Sequence, residues 1–438
     1  MGDVSLTLRR PLAGCVLVAA LVVVAGCGVT DGGTRPTAPS ATPATTATAA
    51  AQARAVRPIA PLCASPLDSL TQRERIAQLF TVGVSSVADA RRAVAEHTIG
   101  GIFLGGDVVR EVVSGDGLTA LLRDSPLPLL VAIDEEGGRV SRVAPFAGPL
   151  PSARVMATTM HPEEVRGAAR TRGEFLRGMG VSVDFAPSVD VSEQADGAVI
   201  GDRSFSPDPA LVVHYAGAFA AGLLDAGVAP VFKHFPGHGR SSGDSHHQPV
   251  TVPPLDQLVD HDLRPFAELA QTPGAAMMMG HPQVPGLTDV GRPASLSPAA
   301  YRLLRGGHGY GAAPFDGVIF TDDLSGMRAV TNDFPLPQAV AESLIAGADS
   351  PLWTTTAGIP AALDAVEQAL AEGVLDRRDL DRSLARVAAL RGIPDCLDAS
   401  TTDEPPGGAV DDALHDAASL AVLAPGLPPH PDLPTLRE

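Results

Sequence analysis

The stretch Leu129-Leu130-Val131-Ala132-Ile133-Asp134-Glu135-Glu136 carries the pattern on which the fold reading turns. A short apolar run without polar alternation reads as a strand buried on both faces, and here it stops abruptly on carboxylates. The pattern recurs downstream: Lys233 and His234 follow Val231-Phe232, His281 follows Met277-Met278-Met279-Gly280, and Asp322 and Asp323 follow Val318-Ile319-Phe320-Thr321. Working outward, eight apolar runs lie at 77–84, 101–104, 127–133, 181–186, 229–232, 275–279, 317–320 and 346–352. Helices are expected at 87–96, 162–179, 209–226, 255–270, 298–304, 336–345 and 360–372, with 379–391 closing the series. Pro or Asp near several helix starts and Gly after several ends fit helix-boundary chemistry. Eight such units in about 330 residues predict a single (β/α)8 TIM-like barrel. An open doubly wound sheet would share the periodicity, because periodicity does not show closure. In a parallel barrel the C-terminal strand ends share one face, where catalytic groups collect.

The ends of the chain read differently. Arg9 and Arg10 precede an uncharged run over 12–25, the length of a signal-peptide core and short for a bilayer span. The run ends in Val24-Ala25-Gly26-Cys27, which resembles a bacterial lipobox, with Cys27 as the lipidated residue; an ordinary secretory signal or an uncleaved anchor would share the apolar run. The expected organisation is a lipoprotein signal at 1–26, an Ala/Thr/Pro-rich flexible tether at 27–61, the barrel at 62–396 and a mostly flexible tail at 397–438. Low apolar content gives the tether nothing to bury. Cys63 and Cys396 sit at the two edges of the barrel segment, and export would let them persist as a disulfide; two separate thiols are the alternative.

The net charge of −18 argues against a non-specific nucleic-acid binder, which needs cationic surface to displace counterions. With 45% hydrophobic and 19% charged residues, the chain as a whole is not disordered. Its cations are 31 Arg and a single Lys, Lys233.

Four constellations carry candidate chemistry. Residues 134–142 place three acids, two glycines and two arginines after a strand, a pattern that a solvated turn could also produce. Gly201-Asp202-Arg203-Ser204-Phe205 puts an Asp-Arg pair in a loop, equally suited to a structural ion pair. Lys233-His234-Phe235-Pro236-Gly237-His238-Gly239, followed by Asp244-Ser245-His246-His247, is less ordinary: four His and an Asp beside the lone Lys suggest proton transfer or a metal site. Asp244, two residues before His246, can orient its imidazole. At Asp322-Asp323 the first carboxylate is expected to enter the pocket and the second to cap the next helix.

With Asp-Glu-Glu-Gly-Gly-Arg-Val, Val-Asp-Phe-Ala-Pro, Gly-Asp-Arg-Ser-Phe, the His-rich run and Asp-Gly-Val-Ile-Phe-Thr-Asp-Asp-Leu in this order, the sequence resembles glycoside hydrolase family 3, in particular the NagZ-type β-N-acetylglucosaminidases, over roughly 69–390. The resemblance implies a retaining exo-glycosidase with Asp322 as nucleophile, His246 as acid/base and Asp244 as its partner. It assigns Asp134, Arg142, Arg203, Lys233 and His234 to the sugar hydroxyls, and it implies neither cofactor nor metal. Combined with the lipobox it suggests an exported enzyme, lipid-anchored to the cell membrane, acting on GlcNAc-containing saccharides from peptidoglycan. The same dyad would suit a phosphorylase that uses phosphate as acceptor; a metal-dependent barrel hydrolase and a non-catalytic wall-binding lipoprotein are the readings from other classes. Three positions depart from the family pattern: Glu135 stands where Gln is usual, Arg240 where Asp often follows Gly-His-Gly, and Gly326 where Met often follows Asp-Asp-Leu-Ser. Arg240 is expected to alter loop charge and leaving-group preference. Small residues around His246 (Gly239, Ser241, Ser242, Gly243) suggest a mobile loop.

Overall fold

The computed structural model describes residues 65–393. Eight parallel strands close into a barrel: β1 (Thr81–Val84), β2 (Gly101–Leu104), β3 (Leu130–Ile133), β4 (Val183–Asp184), β5 (Ala229–Phe235), β6 (Ala276–Met279), β7 (Ile319–Asp323) and β8 (Ser350–Trp353). Each strand pairs with its neighbours in sequence, and β8 returns to β1 with Thr81 opposite Leu352. Closure removes the open-sheet alternative and leaves no strand edge. β1, β2, β3, β6 and β8 are buried along their whole length, as continuous apolar runs between barrel interior and helices require. Inside the barrel Phe185 packs on Phe103 at 5.8 Å between ring centroids and on Phe320 at 5.2 Å.

The surrounding helices start where their caps dictate. Pro162 opens the helix Pro162–Gly178, with the Glu164 carboxylate receiving the His161 N–H at 2.6 Å. Asp208 accepts from the Ala210 N–H at 2.9 Å ahead of Pro209–Asp225.

Several expected boundaries shift for identifiable reasons. Only the second half of the run at 77–84 is strand: a Thr71–Glu74 capping box starts a helix, Gln72–Ala77, a turn follows it, and β1 begins only at Thr81. The helix expected at 255–270 is two, Leu255–Val259 and Arg264–Leu269, because Pro265 supplies no N–H to continue the first and Asp262 turns inward to meet Arg240. Val108–Ser114 and Gly117–Asp124 fill the β2–β3 connection, where Gly115 splits a weak helical signal into two short pieces. The signal segment, Cys27, the tether, Cys63, Cys396 and the tail lie outside the described residues.

Candidate active site

The carboxylates after β3 are fixed by an antiparallel hairpin, Glu135–Gly137 against Val140–Ser141. Its turn needs glycine: Gly137 has φ 88°, and a Cβ there would stand 2.4 Å from the Pro151 carbonyl oxygen. The hairpin closes one side of a cavity of ≈ 360 Å³ at the C-terminal strand ends, floored by Phe103 and Phe185. Asp134, Arg142, Arg203, Lys233, His234, Asp244, His246 and Asp322 all line it, so every residue assigned to catalysis or sugar binding meets in one place. Lys233, His234, Asp322 and Asp323 lie within strands rather than after them. In β5 the register against β6 shifts between Phe232 and Phe235, and strict alternation of side chains does not hold there.

The cavity wall is a buried charge network. Lys233, whose side chain is 2% exposed, places its ammonium 2.7 Å from Asp134 and 2.6 Å from Glu136. Burial alone would lower its pKa, but these two carboxylates raise it. Glu136 also receives a bidentate pair from Arg203, at 2.8 Å from Nε and 2.7 Å from Nη2. Burial works against its charge, yet Arg203 and Lys233 hold its carboxyl far below the usual range. Asp202 pairs instead with Arg139 at 2.8 Å, so the adjacent Asp202 and Arg203 serve different partners. The Arg142 side chain is exposed at the cavity, while its backbone N–H is held by Glu135 at 2.6 Å.

Asp322 is buried and would by that alone be pushed up. His234, His281, the Asp323 N–H and Lys233 together outweigh burial and bring it to about 2. It is therefore an anion, with His234 Nε2 4.0 Å from its Oδ2. His281 donates from Nε2 to the Asp323 carbonyl at 3.0 Å and meets Ser295 through Nδ1 at 2.7 Å. Burial lowers its pKa, opposed by the nearby charges of Asp322 and Asp323 and the bond to the Asp323 carbonyl. Asp323 does not cap a helix: its carboxylate receives the N–H groups of Ser325 and Gly326 and ties the turn after β7.

On the far side, His246 Nδ1 lies 2.7 Å from Asp244 Oδ1, which also receives the His246 N–H at 2.9 Å. Burial pushes Asp244 up, but the two hydrogen bonds and charge from His246 lower it, so it is an acceptor and Nδ1 carries the proton. Nε2 is left for the cavity. The loop is anchored more than its composition suggested. The Ser242 N–H reaches the Thr251 carbonyl at 2.8 Å, Ala329 N–H the Ser245 carbonyl at 3.1 Å, and the Ser245 hydroxyl meets His238 Nε2 at 3.2 Å. Gly239 passes so close to the Val191 carbonyl that a Cβ would stand 2.0 Å from its oxygen.

The three departures have local explanations. Glu135 is fully buried against Arg172 at 2.5 Å and accepts from Ser141, Arg142 and Val143, so a charged residue is matched by a charged partner. Arg240 is absent from the cavity wall and clamps buried Asp262 at 2.9 and 2.5 Å. Gly326 leaves room for Asp323, whose Oδ2 a Cβ would meet at 2.4 Å.

Read from the sequence, Glu136, Arg139 and His238 carried no individual role, and Asp190 none at all. Glu136 was visible as an acid two residues after Asp134 on a hairpin. Asp190, 2.6 Å from His234 Nδ1, lies beyond the Val-Asp-Phe-Ala-Pro motif and had no signal of its own.

A cavity holding the buried Asp322 anion, several fixed donors and a solvent-facing imidazole suits acid-assisted displacement on a polyhydroxylated substrate. Comparison with known proteins identifies the family. Residues 71–390 match the model of the glycosyl hydrolase family 3 N terminal domain. Beta-hexosaminidase LpqI of Mycobacterium tuberculosis is 52% identical over 334 residues, spanning 75% of this chain and 86% of the relative. The structure of M. tuberculosis LpqI superposes with a TM-score of 0.74 at 51% identity, covering 76% of this chain and 98% of that one. A family 3 β-N-acetylglucosaminidase from Paenibacillus gives 0.68 at 32% identity, covering 78% and 66% respectively. The chain belongs to glycosyl hydrolase family 3 and is a glycoside hydrolase of that family.

Proposed function

We propose that this enzyme is a retaining exo-β-N-acetylglucosaminidase that releases terminal GlcNAc from peptidoglycan fragments. The observation that carries the reading is the cavity shared by ionised Asp322 and the Asp244–His246 pair. An Asp322 oxygen attacks the anomeric carbon while the bond to the glycosidic oxygen breaks and His246 Nε2 gives that oxygen its proton. The product is a covalent glycosyl-aspartate. Water then attacks the same carbon, His246 takes its proton, and Asp322 leaves as carboxylate. Asp244 steadies the imidazolium form that donates the proton. Asp134, Arg142, Arg203, Lys233 and His234 hold the hydroxyl groups of the terminal sugar. N-acetylhexosamine specificity is supported by the relatives named beta-hexosaminidase and β-N-acetylglucosaminidase. A lipid on Cys27 would keep the enzyme on the outer face of the cell membrane, opposite the wall.

Turnover of a chromogenic β-N-acetylglucosaminide and product analysis on defined muropeptides test the reading together. Wild type is expected to release GlcNAc with retained configuration and without forming sugar 1-phosphate in phosphate buffer. Asp322→Ala is expected to lose nearly all turnover; full activity in that variant would exclude the assignment.

A further inference from the structure

Asp190 lies in the segment after β4, wholly buried, and four donors converge on it. Its Oδ1 receives the His238 N–H at 2.6 Å and the His234 N–H at 3.3 Å; its Oδ2 receives the Ser188 hydroxyl at 3.1 Å and stands 2.6 Å from His234 Nδ1. Burial alone would raise its pKa, but His234, His238 and these bonds lower it. A carboxylate can only accept, so the proton between Asp190 and His234 resides on Nδ1. The opposite nitrogen, Nε2, faces the cavity 4.0 Å from Asp322 Oδ2 and 3.4 Å from Arg203 Nη2.

We infer that Asp190 is a positioning residue for the glycosidase reaction, acting through His234: its carboxylate fixes the imidazole's tautomer and plane so that Nε2 is presented to the sugar beside Asp322. The inference rests on the proposed reading that His234 contacts substrate and Asp322 is the nucleophile. Asp190 itself is absent from the cavity wall and touches neither substrate nor nucleophile. It organises two backbone N–H groups of the His-rich run and one side chain of the site. A ring in the other tautomer would offer the sugar and Asp322 the wrong nitrogen character.

The test is a double-mutant cycle on the full enzyme with a chromogenic β-N-acetylglucosaminide. Asp190→Asn should lower kcat/KM by on the order of 100-fold, the kind of loss that follows an imidazole held in the wrong tautomer. His234→Phe should lower it as well, and adding Asp190→Asn to His234→Phe should cost less than about threefold more, because the second change has nothing left to act through. Equal losses from Asp190→Asn in both backgrounds would overturn the inference, since a purely structural residue gives additive effects. Histidine-selective ¹⁵N spectra of the wild type provide a second readout that survives misfolding of a variant. Nδ1 of His234 should be protonated at neutral pH, and an unprotonated Nδ1 would overturn the inference. Full activity of Asp322→Ala would remove the reading beneath it, whereas additive losses with an inactive Asp322→Ala would remove the inference alone.

Discussion

On one side of the cavity, Lys233 and His234 on β5, Glu136 on the hairpin after β3 and Arg203 on the short turn Gly201–Arg203 have their charges matched inside the barrel mouth. On the other, His246 is carried by a loop with its side chain 52% exposed and Asp244 as its one charged partner within reach. The contrast follows from what each side must do. Groups that hold a fixed pattern of hydroxyls and a developing positive charge gain from burial and rigidity, because they need no reorganisation during the reaction. A group that gives and takes a proton must meet first a leaving group and then water, which favours an accessible imidazole on a loop. Neighbouring charges outweigh burial on the strand side, lowering Asp322 and Glu136 and raising Lys233, while on the loop Asp244 is lowered by its bonds to His246.

The largest effect should come from breaking the buried side. Lys233→Met removes the ammonium between Asp134 and Glu136 and leaves Glu136 with Arg203 as its remaining cation. Removing one member of a buried charge pair costs about 3–5 kcal/mol, and the loss should appear as a lower midpoint in urea unfolding together with near-complete loss of kcat/KM. A fully stable variant would mean that the network is not the structural element its burial implies. The same geometry sharpens the meaning of the lone lysine. A guanidinium at 233 would have to fit a space where the compact ammonium already sits within 2.7 Å of two carboxylates.

A change on the loop should separate activity from stability. His246→Gln is expected to lower kcat by about 10²–10⁴ while unfolding free energy stays within about 0.5 kcal/mol, because the side chain is half in solvent. Steady-state kinetics on substrates with good and poor leaving groups, read beside urea unfolding, checks both parts. The deficit should shrink for a leaving group that needs no proton. A destabilisation comparable to that of Lys233→Met would erase the distinction between the two sides.

The legibility of the molecule follows the same division. Strand ends were readable because a buried apolar run that stops on Asp134, Lys233 or Asp322 has no bland reading once eight such runs line up. The loop dyad was readable because Asp244 and His246 are close in sequence. What sequence did not disclose are partners brought from distant elements by closure of the barrel. Asp190 lies 44 residues from His234, Arg172 is 37 from Glu135, and Asp262 is 22 from Arg240. Glu135 and Arg240 therefore stood out as unexplained charges, and His234 was assigned to the sugar without its carboxylate. Arg240 was accordingly expected to alter loop charge and leaving-group preference, whereas the Asp262 carboxylate holds its side chain outside the cavity wall. Short helices around Gly115 were missed for a different reason: seven or eight residues present too few turns for a period to register.

The smallest effect, and the one with the opposite sign, belongs to Asp184 at the end of β4. It is as buried as Glu136 and Asp190 but lacks their cations: Oδ1 accepts the Glu135 N–H at 2.9 Å, and Oδ2 has no hydrogen-bond partner among the described residues. Burial, reinforced by the charge of Glu135, raises its pKa well above the ordinary value of 3.8, and the Glu135 N–H and Lys233 offset only part of this. The folded protein thus keeps this proton where the unfolded chain releases it. Stability associated with the group is fully present below the ordinary aspartate range and is lost as pH rises from there towards the raised folded-state value. Asp184→Asn replaces the protonated acid by a neutral group of the same shape that still offers an oxygen to Glu135. It should raise the unfolding free energy at neutral pH by about 1 kcal/mol, with the advantage disappearing in unfolding experiments carried out below the ordinary aspartate pKa. A variant destabilised at neutral pH, with the loss disappearing below the ordinary aspartate pKa, would show that Asp184 is ionised like its neighbours and that the buried side of the cavity is charged throughout.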